Sequence, residues 1–119
     1  MKVLLDTNMM LVPHQFGVDI FEYLKDYKII TLSSCMEELN ALAKKRGDDG
    51  KAAKIALALI KQKKIEISRT KEKGDASIKS FAVAERCAVA TNDAALAKFL
   101  KGKGISVIRL RQKKYLEEI

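Results

Sequence analysis

Val3-Leu4-Leu5-Asp6-Thr7-Asn8 is a short apolar run that stops on a carboxylate almost at the start of the 119-residue chain. An unbroken apolar run of this length predicts a strand buried on both faces, as in the middle of a parallel sheet covered by helices. Asp6 then stands at the carboxyl end of that strand, where ligand sites form in open α/β sheets. Asp and Asn are also ordinary turn residues, so Asp6 alone does not separate chemistry from a turn. The deciding question is whether other carboxylates reach the same edge of the same sheet.

Four further β-like runs follow: 28–32, 64–68, 88–91 and 105–108. The run 64–68 alternates, which places it half exposed or near a sheet edge. Between the runs lie helical segments. Met9 to Pro13 predicts a turn of helix at most, because Pro13 disfavours helix at Val12. Ile20, Phe21, Leu24 and Tyr27 recur at helical spacing over 18–27, with Asp19 as a cap. Ser34-Cys35-Met36-Glu37 matches a capping box, which gives Glu37 a structural task, whereas Glu38 borders the apolar face. From Lys51 to Lys63 the chain is Ala-rich, with Ile55 and Leu59 predicted inward. Asp75 caps a helix carrying Ile78, Phe81 and Ala82, and Asn92-Asp93 precedes one carrying Leu96, Phe99 and Leu100. Strands alternating with helices predict one α/β domain over residues 1–119, a three-layer sandwich around a central, mainly parallel five-stranded sheet.

Composition narrows the function. Hydrophobic residues make up 48% and charged residues 32%, which is a globular composition. At this length roughly 65% of the unfolded surface can be buried, so no disulfide or metal staple is required. No apolar run approaches the ~20 residues of a membrane span. The N-terminal apolar stretch is too short for a signal peptide, and a cytoplasmic location is expected. Cys35 and Cys87, both in segments read as helical, lack Cys-x-x-Cys spacing and read as buried thiols. His14, the one histidine, reads as a loop residue. With 23 Lys and Arg against 15 Asp and Glu, the net charge is +8, which favours a polyanion such as nucleic acid. The stretch Arg109-Leu110-Arg111-Gln112-Lys113-Lys114-Tyr115 is either a solvated end or part of a nucleic-acid path.

Asp6, Glu38, Asp75 and Asp93 each fall in the connection or first helical turn after successive predicted strands. Each has an adequate capping or turn explanation by itself. Four acids on one sheet edge would repel one another unless cations or raised pKa values intervene. Hard divalent cations suit such oxygen donors, and Mg²⁺ bridges a few carboxylates, several waters and phosphate oxygens. Metal-assisted phosphodiester hydrolysis is the chemistry this predicts. No Ser-His-Asp set, Gly-rich phosphate loop or Walker pattern competes.

Leu4-Leu5-Asp6-Thr7-Asn8, then Glu38-Leu39, then Asp75 with Ile78, then Ala90-Thr91-Asn92-Asp93-Ala94-Ala95-Leu96 together resemble the PIN domain family of metal-dependent ribonucleases. The resemblance covers essentially the whole chain in order. It implies that Asp6, Glu38, Asp75 and Asp93 are catalytic acids that bind Mg²⁺ or Mn²⁺. It also implies that Asn8 and Thr91 orient ligands or bound water from behind them. The activity implied is that of an endoribonuclease on single-stranded or structured RNA, and the resemblance favours a homodimer. The ending Gly104 to Arg111 with Lys113-Lys114-Tyr115 is similar to the ribosomal-RNA-processing branch and its prokaryotic relatives. Toxin members of toxin–antitoxin pairs share the same acids, so a toxin endoribonuclease with an antitoxin partner is the alternative. A non-catalytic RNA-binding protein with a vestigial site is the non-enzymatic one. Related chains often carry a second acid directly after the position of Asp75, where this chain has Ala76. A phosphate-receiving response domain ranks last, because its reactive Asp ends the third strand, here occupied by Ile67-Ser68.

Overall fold

The computed structural model describes all of residues 1–119. Its sheet has six strands: β1 (Lys2–Leu5), β2 (Lys28–Leu32), β3 (Glu66–Ser68), β4 (Ala88–Ala90), β5 (Val107–Arg111) and β6 (Tyr115–Glu118). The helices are α1 (Thr7–Phe16), α2 (Ile20–Tyr23), α3 (Ser33–Ala43), α4 (Asp48–Gln62), α5 (Gly74–Glu85) and α6 (Ala94–Gly102). The strand order is β3-β2-β1-β4-β5-β6, parallel throughout except for β6, which runs antiparallel to β5.

This order contains a reversal. From β1 the chain winds outward through β2 to β3, then crosses back to β4 beside β1 and winds the other way. Right-handed crossovers therefore place the first four helices on one face and α5 and α6 on the other. Accordingly α1, α3 and α4 pack together, as do α5 and α6. The reversal falls between β1 and β4, and a crevice opens at such a switch point outside the carboxyl ends of the two strands.

β1 and β4 are central because they are apolar on both faces: Val3, Leu4, Leu5, Ala88, Val89 and Ala90 are all buried. β3 is the edge strand that alternation predicts, with Ile67 exposed and Glu66 paired to Lys28 at 3.0 Å. The sixth strand and the shift of β5 correct the five-strand expectation. Arg109 to Arg111 belongs to β5, and Tyr115-Leu116-Glu117-Glu118 returns beside it through registered pairs such as Leu110 with Leu116.

Several helix expectations also change. Pro13 lies inside α1. Buried Met9, Met10, Leu11 and Val12 hold the segment in place, and Gly17, with φ +65°, ends it by donating to the Pro13 carbonyl at 3.0 Å. His14 consequently sits in a helix, where its Nε2 lies 3.1 Å from Asp48. Regular helix α2 is one turn long, capped by Asp19 as expected. In α4 the inward stripe is Ala52, Ala53, Ala56 and Ile60, while Ile55 faces solvent. Small residues suit a helix pressed against α1 and α3. The turn leading into α4 is tight enough that a Cβ on Gly50 would sit 2.0 Å from the Lys45 carbonyl oxygen. Cys87 precedes β4 instead of lying in a helix, and both cysteines are free and buried.

Candidate functional site

Asp6 follows the last residue of β1 and caps α1. Its backbone is extended, with φ −81° and ψ 171°, and its Oδ1 accepts the Met9 N–H at 2.7 Å. Its Oδ2 accepts the hydroxyl of Thr91. Thr91 is fully buried just beyond β4, and its Oγ1 also accepts the N–H of Asp93 at 3.1 Å. Asp93 caps α6 by accepting the Leu96 N–H at 2.9 Å. One threonine hydroxyl thus joins the acids that end the two central strands.

Asp6 is 8% exposed, and its carboxyl is pushed up to about 6. Burial is the main cause. The hydrogen bonds from Thr91 and Met9 pull the other way, and the charges of Asp75 and Asp93 add to the upward push. Both of those acids therefore lie within electrostatic reach of Asp6.

A cleft of about 70 Å³ opens beside Asp6, and Thr7, Asn8, Cys35, Glu38, Asp75 and Ile78 share its wall. Surface concavities of about 430 to 660 Å³ exist elsewhere, but this cleft alone joins three carboxylates. Glu38 arrives from the second turn of α3, exposed to solvent rather than flanking the core. Asp75 does not cap α5, as Lys73 holds that position without a side-chain hydrogen bond. It lies in the first turn instead, where the positive helix end favours its ionised form. Asp93 lies outside the cleft wall, and Thr91 stands behind Asp6.

The expected capping box is absent, since α3 has no side-chain cap. The Ser34 hydroxyl instead meets that of Ser77 at 2.8 Å, and Ser77 donates to the Gly74 carbonyl at 2.6 Å. Ser33 accepts the Thr70 N–H at 2.9 Å, and Glu37 pairs with Lys73 at the surface. Three contacts thus tie the start of α3 to the loop that delivers Asp75. Sequence reasoning missed this arrangement because Ser34 already matched a local pattern and Ser77 is one of several small residues in α5. Thr7 was also overlooked: its Oγ1 is buried in the cleft wall with no partner.

The donor set fits a hard cation. The cleft offers carboxylate oxygens, an amide and an unpartnered hydroxyl, and its volume of about 70 Å³ has room for an ion with one or two waters at about 30 Å³ each. No three acidic, His or Cys side chains close tightly enough to form a ready-made cage. Such a sparse set suits Mg²⁺, which keeps several of its waters.

Residues 3–113 match the model of a PIN-like domain family. The chain is 35% identical over 126 residues to Ribonuclease VapC4 of Methanocaldococcus jannaschii, spanning 98% of this chain and 95% of that protein. Its fold superposes on the PIN domain endonuclease Utp24 with a TM-score of 0.79 at 24% identity, covering 98% of this chain and 90% of the other. A domain of a functionally unknown protein from M. jannaschii gives a TM-score of 0.66 at 18% identity, covering 92% and 91%.

Proposed function

This chain belongs to the PIN-like domain family, and on that premise we propose that it is a divalent-metal-dependent endoribonuclease that hydrolyses RNA phosphodiester bonds in RNA processing. The observation that carries this reading is the cleft that Asp6, Glu38 and Asp75 line together, with Asp93 acting on Asp6. An acidic pocket in a chain of net charge +8 suits a metal held against one phosphate of a polyanion.

Asp6, Glu38 and Asp75 would hold Mg²⁺ or Mn²⁺, with Asp93 as the fourth acid. When bound, the metal lowers the pKa of the attacking water and offsets charge at the phosphate. The chain's own residues supply the rest. Asp6 must be ionised to act as a ligand, so the proton that burial favours on its carboxyl competes with the metal. Thr91 aims its carboxylate and steadies Asp93. Asn8, on the cleft wall, is placed to orient water or ligand. α5 has no side-chain cap, so its first N–H groups remain available to an anion beside Asp75.

Cleavage of total RNA with product mapping tests this reading. The wild type should cleave in Mg²⁺ or Mn²⁺ and not in EDTA, and Asp6→Asn should bind RNA without cleaving it. Equal cleavage by both proteins in Mn²⁺ would overturn the site. A toxin held by an antitoxin shares this chemistry. Growth arrest on induced expression, relieved by a neighbouring gene product, would replace the processing role with that one.

A further inference from the structure

The β5–β6 hairpin leaves the sheet at the same edge as the acidic cleft. Ala90 pairs with Ile108 in parallel register, so Arg109 to Arg111 run alongside Thr91-Asn92-Asp93. Asn92 ties the two segments, its Oδ1 accepting the Leu110 N–H at 2.8 Å. The hairpin then closes through Gln112 and Lys113, at φ +53° and +57°, with Lys114 N–H donating to the Arg111 carbonyl at 2.9 Å. Two successive non-glycine residues in the left-handed region give the primed turn that matches strand twist.

Phe16, the last residue of α1, faces this turn and keeps 39% of its surface exposed. A concavity of about 490 Å³ is bounded by Phe16, Asn92, Arg109, Arg111 and Lys113 among others. The Lys113 ammonium lies 6.0 Å from the Phe16 ring centroid. Arg111 is occupied by Glu117 at 2.8 Å. Arg109 and Lys113 are not paired with any carboxylate, and the buried Nε of Arg109 has no partner. An exposed aromatic ring with uncompensated cations around it, on the same sheet edge as the acidic cleft, has the makings of a strand-positioning surface.

We propose that this concavity docks one nucleotide of single-stranded RNA flanking the scissile bond, its base on Phe16 and its phosphate at Arg109 and Lys113. The proposal rests on the ribonuclease reading and adds to it a nucleotide subsite built from Phe16, Arg109 and Lys113. Every base has a π-face, so an aromatic platform is tolerant of sequence. A paired duplex keeps its bases stacked inside and presents no such face. Asn92, neighbour of Asp93 and partner of Leu110, places the concavity beside the strand end that carries Asp93.

Binding without cleavage isolates the subsite. A fluorescein-labelled oligouridine of about ten nucleotides, long enough to fill a typical single-strand site, is titrated in EDTA and read by anisotropy. Phe16→Leu keeps the apolar bulk and should weaken binding about tenfold, whereas Phe16→Tyr should bind as the wild type. Arg109→Gln and Lys113→Gln should each reduce the slope of log K against log salt by about 0.7, the single-strand value per phosphate contact. A blunt duplex should be indifferent to Phe16→Leu. Equal oligouridine binding by wild type and Phe16→Leu overturns the proposal, and so does an equal loss on duplex. Cleavage in Mn²⁺ is scored separately. A wild type that cleaves while its binding ignores Phe16 loses the subsite and keeps the nuclease. One that fails to cleave while its binding follows the ring loses the nuclease and keeps the subsite.

Discussion

Ser34 and Ser77 meet hydroxyl to hydroxyl at 2.8 Å, both nearly free of solvent, where α3 passes the first turns of α5. The Ser77 proton is committed to the Gly74 carbonyl, so Ser34 is the donor between them. This bond joins the start of α3, the helix that carries Glu38, to the first turn of α5, which carries Asp75. Ser77→Ala strands the Ser34 hydroxyl and should cost about 1–3 kcal/mol, more than Ser34→Ala, which leaves the Ser77–Gly74 bond in place. The double variant should cost less than the sum of the two. Urea denaturation of the four proteins checks this. Cleavage by folded Ser77→Ala should fall by up to about 100-fold, the scale of a misplaced ligand. Full activity would show that the serines only pack the core.

Below pH 3.8 Asp6 is neutral in both folded and unfolded chains, and above about pH 6 it is ionised in both. Between these values the folded protein keeps a proton that the unfolded chain releases. Metal-free stability therefore falls as pH rises across that window, by an amount on the order of 2–3 kcal/mol from this group. Asp6→Asn should flatten the decline, and the N-terminal cap should survive because Asn caps as well as Asp. Mn²⁺ added at pH 7 should raise the wild-type melting temperature and leave that of Asp6→Asn unchanged. Urea midpoints across the pH range, with and without metal, give the comparison, and a wild-type midpoint that rises across the window would reverse the sign.

Glu37 and Lys73 pair in the open, with 62% and 75% of their side chains in solvent. Exposed pairs contribute little, so Glu37→Ala should change stability by no more than about 0.5 kcal/mol and leave cleavage intact. A loss of 1 kcal/mol or more, measured by denaturation, would mean that Glu37 does cap α3 in solution.

What the sequence revealed follows from where burial decides the outcome. β1 and β4 announce themselves because Leu4, Leu5, Val89 and Ala90 have no polar neighbour within the strand, and each ends directly on a polar group that must be satisfied. β6 was hidden, since Tyr115-Leu116-Glu117-Glu118 reads as a polar tail and becomes a strand only by pairing with β5. Pro13 misled because a local steric preference gave way to four buried side chains around it. Glu38 and Asp75 were recognisable as acids after strands, but their approach depends on Ser34 meeting Ser77, 43 residues apart. No local pattern encodes that contact.

Thr91 offers the sharpest separation of a structural from a positioning role. Its hydroxyl donates to Asp6 and accepts from Asp93, and its hydrogen bond is the largest influence holding the Asp6 carboxyl down against burial. Thr91→Val keeps the shape but strands the Asp93 N–H, and should cost about 1–3 kcal/mol. It should also lift the Asp6 carboxyl above about 6, moving the acid limb of the pH–rate profile to higher pH and weakening metal binding at neutral pH. Thr91→Ser retains the hydroxyl and should restore the limb while recovering only part of the packing. If Thr91→Val lowers stability but leaves the limb where the wild type has it, the threonine supports the fold alone and Asp6 is aimed by Met9.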